Sequence, residues 1–408
     1  MLTDYMEESL YIENFGPIKK AEVLISKVTL LIGRQGTGKS AVAKLYSMFS
    51  WLEKSLMRHS LTIRHIEQYS RFRKEFCAYN NMEDYFKDDT VLRFNGVHFL
   101  FVFQNGELSI SAKGDTDTLS ISKVMYIPAE RNILGSTDYP SRIKGLNRPM
   151  QTFSEEFAAA KINYKTGYIF PFENVKFEYD ALNDLPKLRQ NGDFEIRLSA
   201  GSSGFQSSLP MLLVSKNLTE MVRASSSHSE LSPKERNALQ REVMRIMEDK
   251  SLSEDVRIVS LRSVSSRFRY SRFVNIVEEM ELNLFPDSQR GTLYELLAEV
   301  NTLSGNRLML TTHSPYVVNY LTLAIKASEL WEKAKVSDNK DTLTRISNIV
   351  PECSQIAFKD VAIYEMEDGT VRKLADCDGI PSDDNYLNTR LNDTNIDYDA
   401  LLEIEDNI

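Results

Sequence analysis

The chain has 408 residues, 42% of them hydrophobic, and its 58 acidic and 49 basic side chains give a net charge of −9. This size and composition predict a folded core larger than one minimal domain, and the negative charge disfavours a globally basic nucleic-acid binder, although local basic patches remain open. The three cysteines fit no disulfide or zinc pattern, and neither a secretory leader nor a bilayer-length apolar run is visible, so we expect a soluble cytoplasmic protein with no membrane partner.

The N-terminal elements lead into a phosphate-binding loop. Short strands over residues 10–15 and 21–25 precede a buried strand over residues 28–32, and residues 41–51 form the pattern of a helix. Between them, residues 33–40 (GRQGTGKS) fit G-x-x-x-x-G-K-[ST], whose backbone N–H groups and following helix favour bound phosphate. A chance glycine-rich turn is the disfavoured alternative. The predicted ATP-binding residues are Gly33, Arg34, Gln35, Gly36, Thr37, Gly38, Lys39, Ser40 and Ala41.

The spacing also assigns roles within this loop. Lys39 is predicted to lie against the β- and γ-phosphates, and Ser40 to bind Mg²⁺. The expected cofactors are therefore ATP and Mg²⁺.

The middle of the chain alternates between helical and strand patterns. Apolar residues at helical spacing predict more helix over residues 53–76, and short alternating runs over 91–121 and 168–198 predict strands. Residues 225–270 are expected to form a charged, helical insertion. Its end carries a candidate basic surface made of Arg262, Arg267, Arg269 and Arg272.

A second apolar strand ends in two carboxylates. Residues 273–277 (FVNIV) are followed by Glu278 and Glu279. This pattern is typical of a Walker B element, in which Glu278 would hold Mg²⁺ through water and Glu279 would act as general base. Taken alone, the segment is equally compatible with a buried strand that ends in an exposed acidic turn.

A third apolar strand, residues 308–312 (LMLTT), delivers His313 at its carboxyl end, where ligands bind in open α/β sheets. His313 is predicted to contact the γ-phosphate. The alternative is an ordinary surface histidine, which the position after the acidic element disfavours.

Residues 202–207 (SSGFQS) resemble the signature motif of ABC-type ATPases, which contacts the ATP of a partner subunit. The predicted contacts in trans come from Ser202, Ser203, Gly204 and Gln206, and Phe205 departs from the glycine common there. A serine-rich helix cap is the alternative.

In this order, the segments resemble the ATPase heads of SMC, Rad50 and RecF proteins. Residues 14–18 (NFGPI), 127–131 (IPAER), 278–286 (EEMELNLFP) and 312–315 (THSP) resemble a prokaryotic group within them. That group includes the ATPase half of overcoming-lysogenisation nucleases and several anti-phage ATPases, among which the ATPase subunits of PARIS systems are the most similar. Met280 stands where the group usually has proline.

The resemblance implies an α/β fold: a P-loop ABC-type ATPase head with a mixed central β-sheet, an antiparallel β subdomain and a helical insertion. The expected domains are an N-terminal lobe (1–224), the insertion (225–270), a C-terminal lobe (271–375) and an acidic tail (376–408).

It further implies a homo-oligomer of ATP-sandwiched heads that holds a separate effector nuclease of the Toprim type and responds to a phage-encoded trigger protein, for example one that mimics DNA. Two alternatives remain open. One is a DNA-repair or DNA-maintenance ATPase that binds duplex DNA, and the other is a scaffold that binds ATP with little turnover.

Overall fold

The computed structural model describes residues 7–114, 121–190, 194–224, 233–249, 254–267, 269–377, 379–382 and 384–405. Its strands are β1 (Ser9–Phe15), β2 (Ile18–Leu24), β3 (Val28–Gly33), β4 (Phe86–Asn95), β5 (Phe99–Gln104), β6 (Glu107–Ala112), β7 (Ser122–Ile127), β8 (Tyr168–Ile169), β9 (Val175–Asp180), β10 (Leu185–Gln190), β11 (Phe194–Arg197), β12 (Arg272–Val277), β13 (Arg307–Thr312), β14 (Val361–Glu367), β15 (Thr370–Lys373), β16 (Asp376–Cys377) and β17 (Ile380–Pro381). Its α-helices are α1 (Lys39–Met57), α2 (Ile63–Glu67), α3 (Asn132–Gly135), α4 (Arg148–Asn163), α5 (Ser203–Ala224), α6 (Pro233–Glu248), α7 (Glu254–Arg267), α8 (Pro286–Asn301), α9 (Pro315–Val336), α10 (Lys340–Ile349) and α11 (Tyr386–Glu405).

One large sheet organises the molecule. It has 11 strands in the order β6-β5-β4-β1-β2-β15-β14-β3-β13-β12-β7. The strands from β14 to β7 are parallel, whereas β6 to β2 pair antiparallel. A separate antiparallel sheet has the order β11-β10-β9-β8. The predicted mixed sheet and antiparallel subdomain are both present.

Two of the parallel strands, β3 and β12, are buried along their whole length. Every residue of β3 and of β12 is buried, as continuous apolar runs covered on both faces should be. In the parallel register, Thr312 of β13 pairs with Ile32 of β3, and Val277 of β12 pairs with Ile127 of β7. The carboxyl ends of these four strands therefore meet at one edge of the sheet.

Helix α1 packs the antiparallel strands onto this parallel core. The ring of Phe49 stacks on Phe94 with centroids 5.3 Å apart, and it also contacts Phe72 and Phe101. All four rings are buried, so the two parts of the large sheet share one hydrophobic core.

The continuous helix predicted over residues 53–76 was wrong. Helix α1 ends at Met57, and left-handed backbone at His59, Tyr69 and Ser70 breaks the following segment. That segment forms α2, a 3-10 turn at residues 68–70 and a π-helical turn at 72–77. The helical spacing of apolar residues wrongly predicts one helix here, because these residues belong to several short turns that pack against the antiparallel strands.

The described residues of the insertion include α6 and α7, in agreement with its helical pattern. Strands from both predicted lobes join the same sheet. The acidic tail includes the helix α11. Within the described part of the chain, none of the helices combines the length and apolarity that crossing a bilayer requires.

Candidate nucleotide site

The phosphate loop joins the carboxyl end of β3 to the first turn of α1. Gly33 has a φ of 138°, and a Cβ there would lie 2.3 Å from the carbonyl oxygen of Met366, so only glycine fits. Gly36 has a φ of 77°, and a Cβ there would meet no atom within 4 Å. The loop thus leaves open space at the positive end of α1, which suits a bound phosphate.

Lys39 lies at the base of this loop. Its ammonium group donates hydrogen bonds of 2.8 Å to the carbonyl oxygens of Gly33 and Arg34. Burial lowers the pKa of Lys39 to about 8, while the carboxylates of Glu279, Glu281 and Glu278 act in the opposite direction. The structure therefore brings the phosphate loop together with the acidic end of β12.

Ser40 and Glu278 supply a plausible donor set for Mg²⁺. The Ser40 hydroxyl bonds the Glu278 carboxylate, and burial raises the pKa of Glu278 while Lys44 and the bonds from Ser40 and Tyr126 lower it. The Oε1 atom of Glu278 is buried without a hydrogen-bond partner. No cluster of three or more His, Cys, Asp or Glu side chains within the described ranges could hold a metal. One hydroxyl and one carboxylate fit Mg²⁺, which keeps waters and phosphate oxygens as its other ligands.

Glu279 and His313 face each other across the ends of β12 and β13. The Oε1 atom of Glu279 lies 3.7 Å from Nε2 of His313. The backbone N–H of Glu279 donates to Oγ1 of Thr311 at 3.1 Å. Burial lowers the pKa of His313, as does the nearby Lys39 ammonium, whereas Glu279 and a hydrogen bond with the Gly33 backbone raise it. The imidazole is therefore neutral at pH 7 and adjoins the phosphate loop.

Glu281 is a site residue that sequence reasoning missed. Its Oε1 atom accepts a hydrogen bond of 2.6 Å from the backbone N–H of His313. This bond ties the acidic turn after β12 to the end of β13. The available signal was the third carboxylate in the run Glu278-Glu279-Met280-Glu281.

Arg131 is a second missed residue, although its segment contributed to the resemblance described above. It is fully buried, and its guanidinium donates to the carbonyl oxygens of Glu278 at 2.5 Å and Glu279 at 2.7 Å. It follows β7, whose carboxyl end adjoins that of β12. Burial lowers the pKa of Arg131 to about 10, so it stays charged at neutral pH.

The predicted signature segment begins α5. Ser202 and Ser203 are exposed, and a Cβ on Gly204 would lie 2.9 Å from the carbonyl oxygen of Asn283. The side-chain amide of Gln206 donates hydrogen bonds to carbonyl oxygens just before α5, those of Leu198, Ser199 and Gly201. The exposed serines are available for a contact in trans, and that role stays a prediction.

The predicted basic surface at the end of the insertion was wrong at Arg272. This residue begins β12 and is only 4% exposed. Its guanidinium donates to both carboxylate oxygens of Glu8, at 2.7 and 2.9 Å. Arg269 is exposed, and the side chains of Arg262 and Arg267 lie outside the described residues.

These elements have the predicted order at one sheet edge. The phosphate loop follows β3, the two carboxylates follow β12, the histidine follows β13, and β12 and β3 both neighbour β13. The chain therefore has a mixed α/β fold in which these segments share one edge of the large sheet.

No protein-family model and no curated protein matches the sequence. Similar solved structures include an SMC head domain from Thermotoga maritima, with 11% identity, 91% of this chain and 99% of that chain covered and a TM-score of 0.34. The recombination mediator RecF is similar with 10% identity, 90% and 98% coverage and a TM-score of 0.27. A dimeric ATP-binding cassette bound to ADP and phosphate has 8% identity, 90% and 100% coverage and a TM-score of 0.27. At these low scores, the function has to be argued from the site's own geometry.

Proposed function

We propose that this chain is the ATP-binding and ATP-hydrolysing subunit of an anti-phage defence complex. The grouping of Lys39, Ser40, Glu278, Glu279 and His313 at one sheet edge carries the ATPase part of the proposal. These are a phosphate-binding lysine, two magnesium donors, a carboxylate and a neutral imidazole, which together suit phosphoryl transfer to water.

In this proposal each side chain has one task. Lys39 and the loop amides bind the β- and γ-phosphates of the substrate. Ser40 and Glu278 would hold Mg²⁺, which would supply charge to neutralise the phosphate oxygens. Glu279 orients the attacking water and accepts its proton. His313 donates a hydrogen bond to the γ-phosphate.

Assembly would follow from the position of the signature segment. Ser203 and Gly204 of one protomer would contact the γ-phosphate bound by another, which makes ATP a link between heads. A charge-assisted hydrogen bond contributes about 1.5–3 kcal/mol, and turning a mostly open population into a mostly closed one takes about 5.5 kcal/mol. Two to four such contacts per nucleotide are therefore enough, and hydrolysis resets the assembly.

The defence part rests on the resemblance to AriA, the ATPase subunit of PARIS systems. Under this proposal the homo-oligomer holds a separate Toprim-type nuclease inactive and releases it when a phage-encoded trigger protein binds. Exposed residues of α6 and of the later part of α11 are available to such partners. The start of α11 instead lies at the site, because the Arg34 guanidinium of the phosphate loop is 5.7 Å from the centre of the Tyr386 ring.

One experiment tests both parts. The wild-type chain is compared with Lys39→Ala and Glu279→Gln for ATP turnover in purified form. The same variants, expressed with the small nuclease gene expected beside this one, are compared for phage plating efficiency. We expect both variants to lose turnover and protection. Turnover without any protection would reject the defence role, and salt-sensitive, ATP-dependent duplex binding would then favour DNA maintenance.

A further inference from the structure

Arg131 connects two parts of the molecule that the proposed ATPase must coordinate. Besides its bonds to the carbonyl oxygens of Glu278 and Glu279, its Nε atom donates to the carbonyl oxygen of Ser207 at 3.1 Å. Ser207 belongs to α5, whose first residue is the exposed Ser203. One buried guanidinium therefore spans the signature helix and the catalytic turn.

The acceptors around Arg131 are unusual for a buried cation. Each of its recorded hydrogen bonds ends on a backbone carbonyl oxygen, with Pro128 providing the fourth at 3.3 Å. Carboxylates of Glu281, Glu279 and Glu278 act on its charge from nearby. Because the bonds go to backbone, the guanidinium fixes the position of main chain in both elements. Its planar fork of donors is suited to that task.

The catalytic turn needs such a restraint. Glu279 has a φ of 44°, a left-handed conformation that an ordinary side chain rarely adopts. The bond from Arg131 to its carbonyl oxygen and the bond from its N–H to Thr311 hold the two ends of this residue. A displacement of Arg131 would therefore change where the Glu279 carboxylate points.

The start of α5 is tightly coupled to the segment that carries Arg131. Pro210 lacks the N–H that would bond the carbonyl oxygen of Gln206 within the helix. Gly135 lies against this Gln206 carbonyl group, since a Cβ on Gly135 would be 2.3 Å from its oxygen. Residues 129–135 therefore pack directly against the first turn of α5, with no room for an added methyl group between them.

We infer that Arg131 is a positioning residue that transmits contact between a partner's nucleotide and the Ser203 end of α5 to the Glu279 turn of the same protomer. This inference rests on the proposed ATP hydrolysis in paired heads. It predicts that Arg131 governs the rate of hydrolysis and not the strength of nucleotide binding.

The test uses the full chain with Arg131→Met, Arg131→Lys and, as a matched control, Arg142→Met, which removes an exposed arginine. We measure kcat, KM, equilibrium binding of a fluorescent ATP analogue and ATP-driven assembly by light scattering. Arg131→Met should lower kcat at least tenfold and change analogue affinity and assembly by less than threefold. Arg131→Lys should recover part of kcat, because one ammonium still reaches a carbonyl oxygen, and Arg142→Met should match the wild type.

The inference would be overturned by an unchanged kcat, or by affinity, assembly and kcat falling in parallel. If Arg131→Met does not fold, Arg131→Lys is judged by the same criteria. The double variant Arg131→Met/Glu279→Gln tests whether Arg131 acts through Glu279. Adding Arg131→Met to Glu279→Gln should lower the residual kcat much less than tenfold, since the carboxylate being positioned is gone. A full tenfold loss of residual kcat would contradict transmission through Glu279. A wild-type protein without turnover would instead reject the proposed function itself.

Discussion

The imidazole Nε2 of His313 lies 3.7 Å from the Oε1 atom of Glu279, although the two residues end different strands. Parallel pairing of β12 with β13 produces this approach, and Glu281 fixes it by accepting the backbone N–H of His313. The pair stands beside the phosphate loop, where the Gly33 backbone also bonds the imidazole.

Glu279→Gln should abolish turnover and retain nucleotide. Glutamine keeps the size and the backbone contacts of Glu279 but cannot accept a proton from water. Removing a general base typically costs about 10²–10⁴-fold in rate. We expect turnover to fall by at least a hundredfold, measured as phosphate release, while ATP-driven assembly persists. The exposed Glu332→Gln serves as the control, and equal rates for Glu279→Gln and wild type would remove Glu279 from catalysis.

Lys39→Ala should abolish nucleotide binding. The variant loses a buried cation that the loop carbonyls of Gly33 and Arg34 hold in place. Loss of one or two charge-assisted bonds, about 1.5–3 kcal/mol each, corresponds to at least a tenfold loss of affinity. Isothermal titration with a slowly hydrolysed ATP analogue measures it, and unchanged affinity would show that the site is elsewhere.

Nucleotide affinity should fall above pH 8. Burial lowers the pKa of Lys39 to about 8, so above that pH the free protein must take up a proton before its ammonium can bind phosphate. The dissociation constant should then rise by up to about tenfold per pH unit. Lys39→Arg is the matched control, because a guanidinium stays charged and its weaker binding should be flat over this range. A flat wild-type profile would contradict the lowered pKa.

Glu299→Gln should stabilise the protein at alkaline pH. Burial raises the pKa of Glu299 on α8 to about 7, with Glu295 and Glu220 adding to it and Lys216 opposing it. The free energy of unfolding that depends on protonated Glu299 is fully present below the ordinary glutamate pKa of 4.5, and it is lost as the pH rises through 7. Chemical denaturation at pH 8 should show a gain of up to about 3 kcal/mol, shrinking to below about 1 kcal/mol near pH 5. Glu332→Gln, at an exposed position away from Glu299, should show no such gain.

Arg272→Met should destabilise the fold. It leaves the Glu8 carboxylate buried without its bidentate partner, a change that typically costs about 3–5 kcal/mol. The double variant Glu8→Leu/Arg272→Met should recover most of that loss, because the buried carboxylate is gone, although the less buried Arg307, 3.5 Å from Glu8, loses a partner. Arg269→Met, at an exposed position, is the control. A loss below about 1 kcal/mol in denaturant melts would show that the pair contributes little.

Local patterns determined much of this site. The phosphate loop, the carboxylates after β12 and His313 are each short motifs beside an apolar strand, so their types and approximate elements follow from residue order alone. The apolar runs of β3 and β12 predict buried parallel strands because both faces must be covered. The breaks after Met57 do not follow, since Tyr69 and Ser70 adopt left-handed backbone although their residue types are not the ones enriched there.

The roles of Arg272 and Arg131 depend on pairing between distant segments of the chain, which is visible only in the folded structure. Arg272 looks like a surface cation in the sequence, but in the fold it is buried and bonds to Glu8 and to the Ser122 hydroxyl. Arg131 has no local pattern that shows its role, because its acceptors are carbonyl oxygens of residues brought near by the β7–β12 pairing. Every residue has a backbone carbonyl, so the residue types in the sequence do not show which carbonyls accept these bonds. The sequence could therefore name the candidate phosphate-binding groups, while the folded chain decided which groups hold them in place.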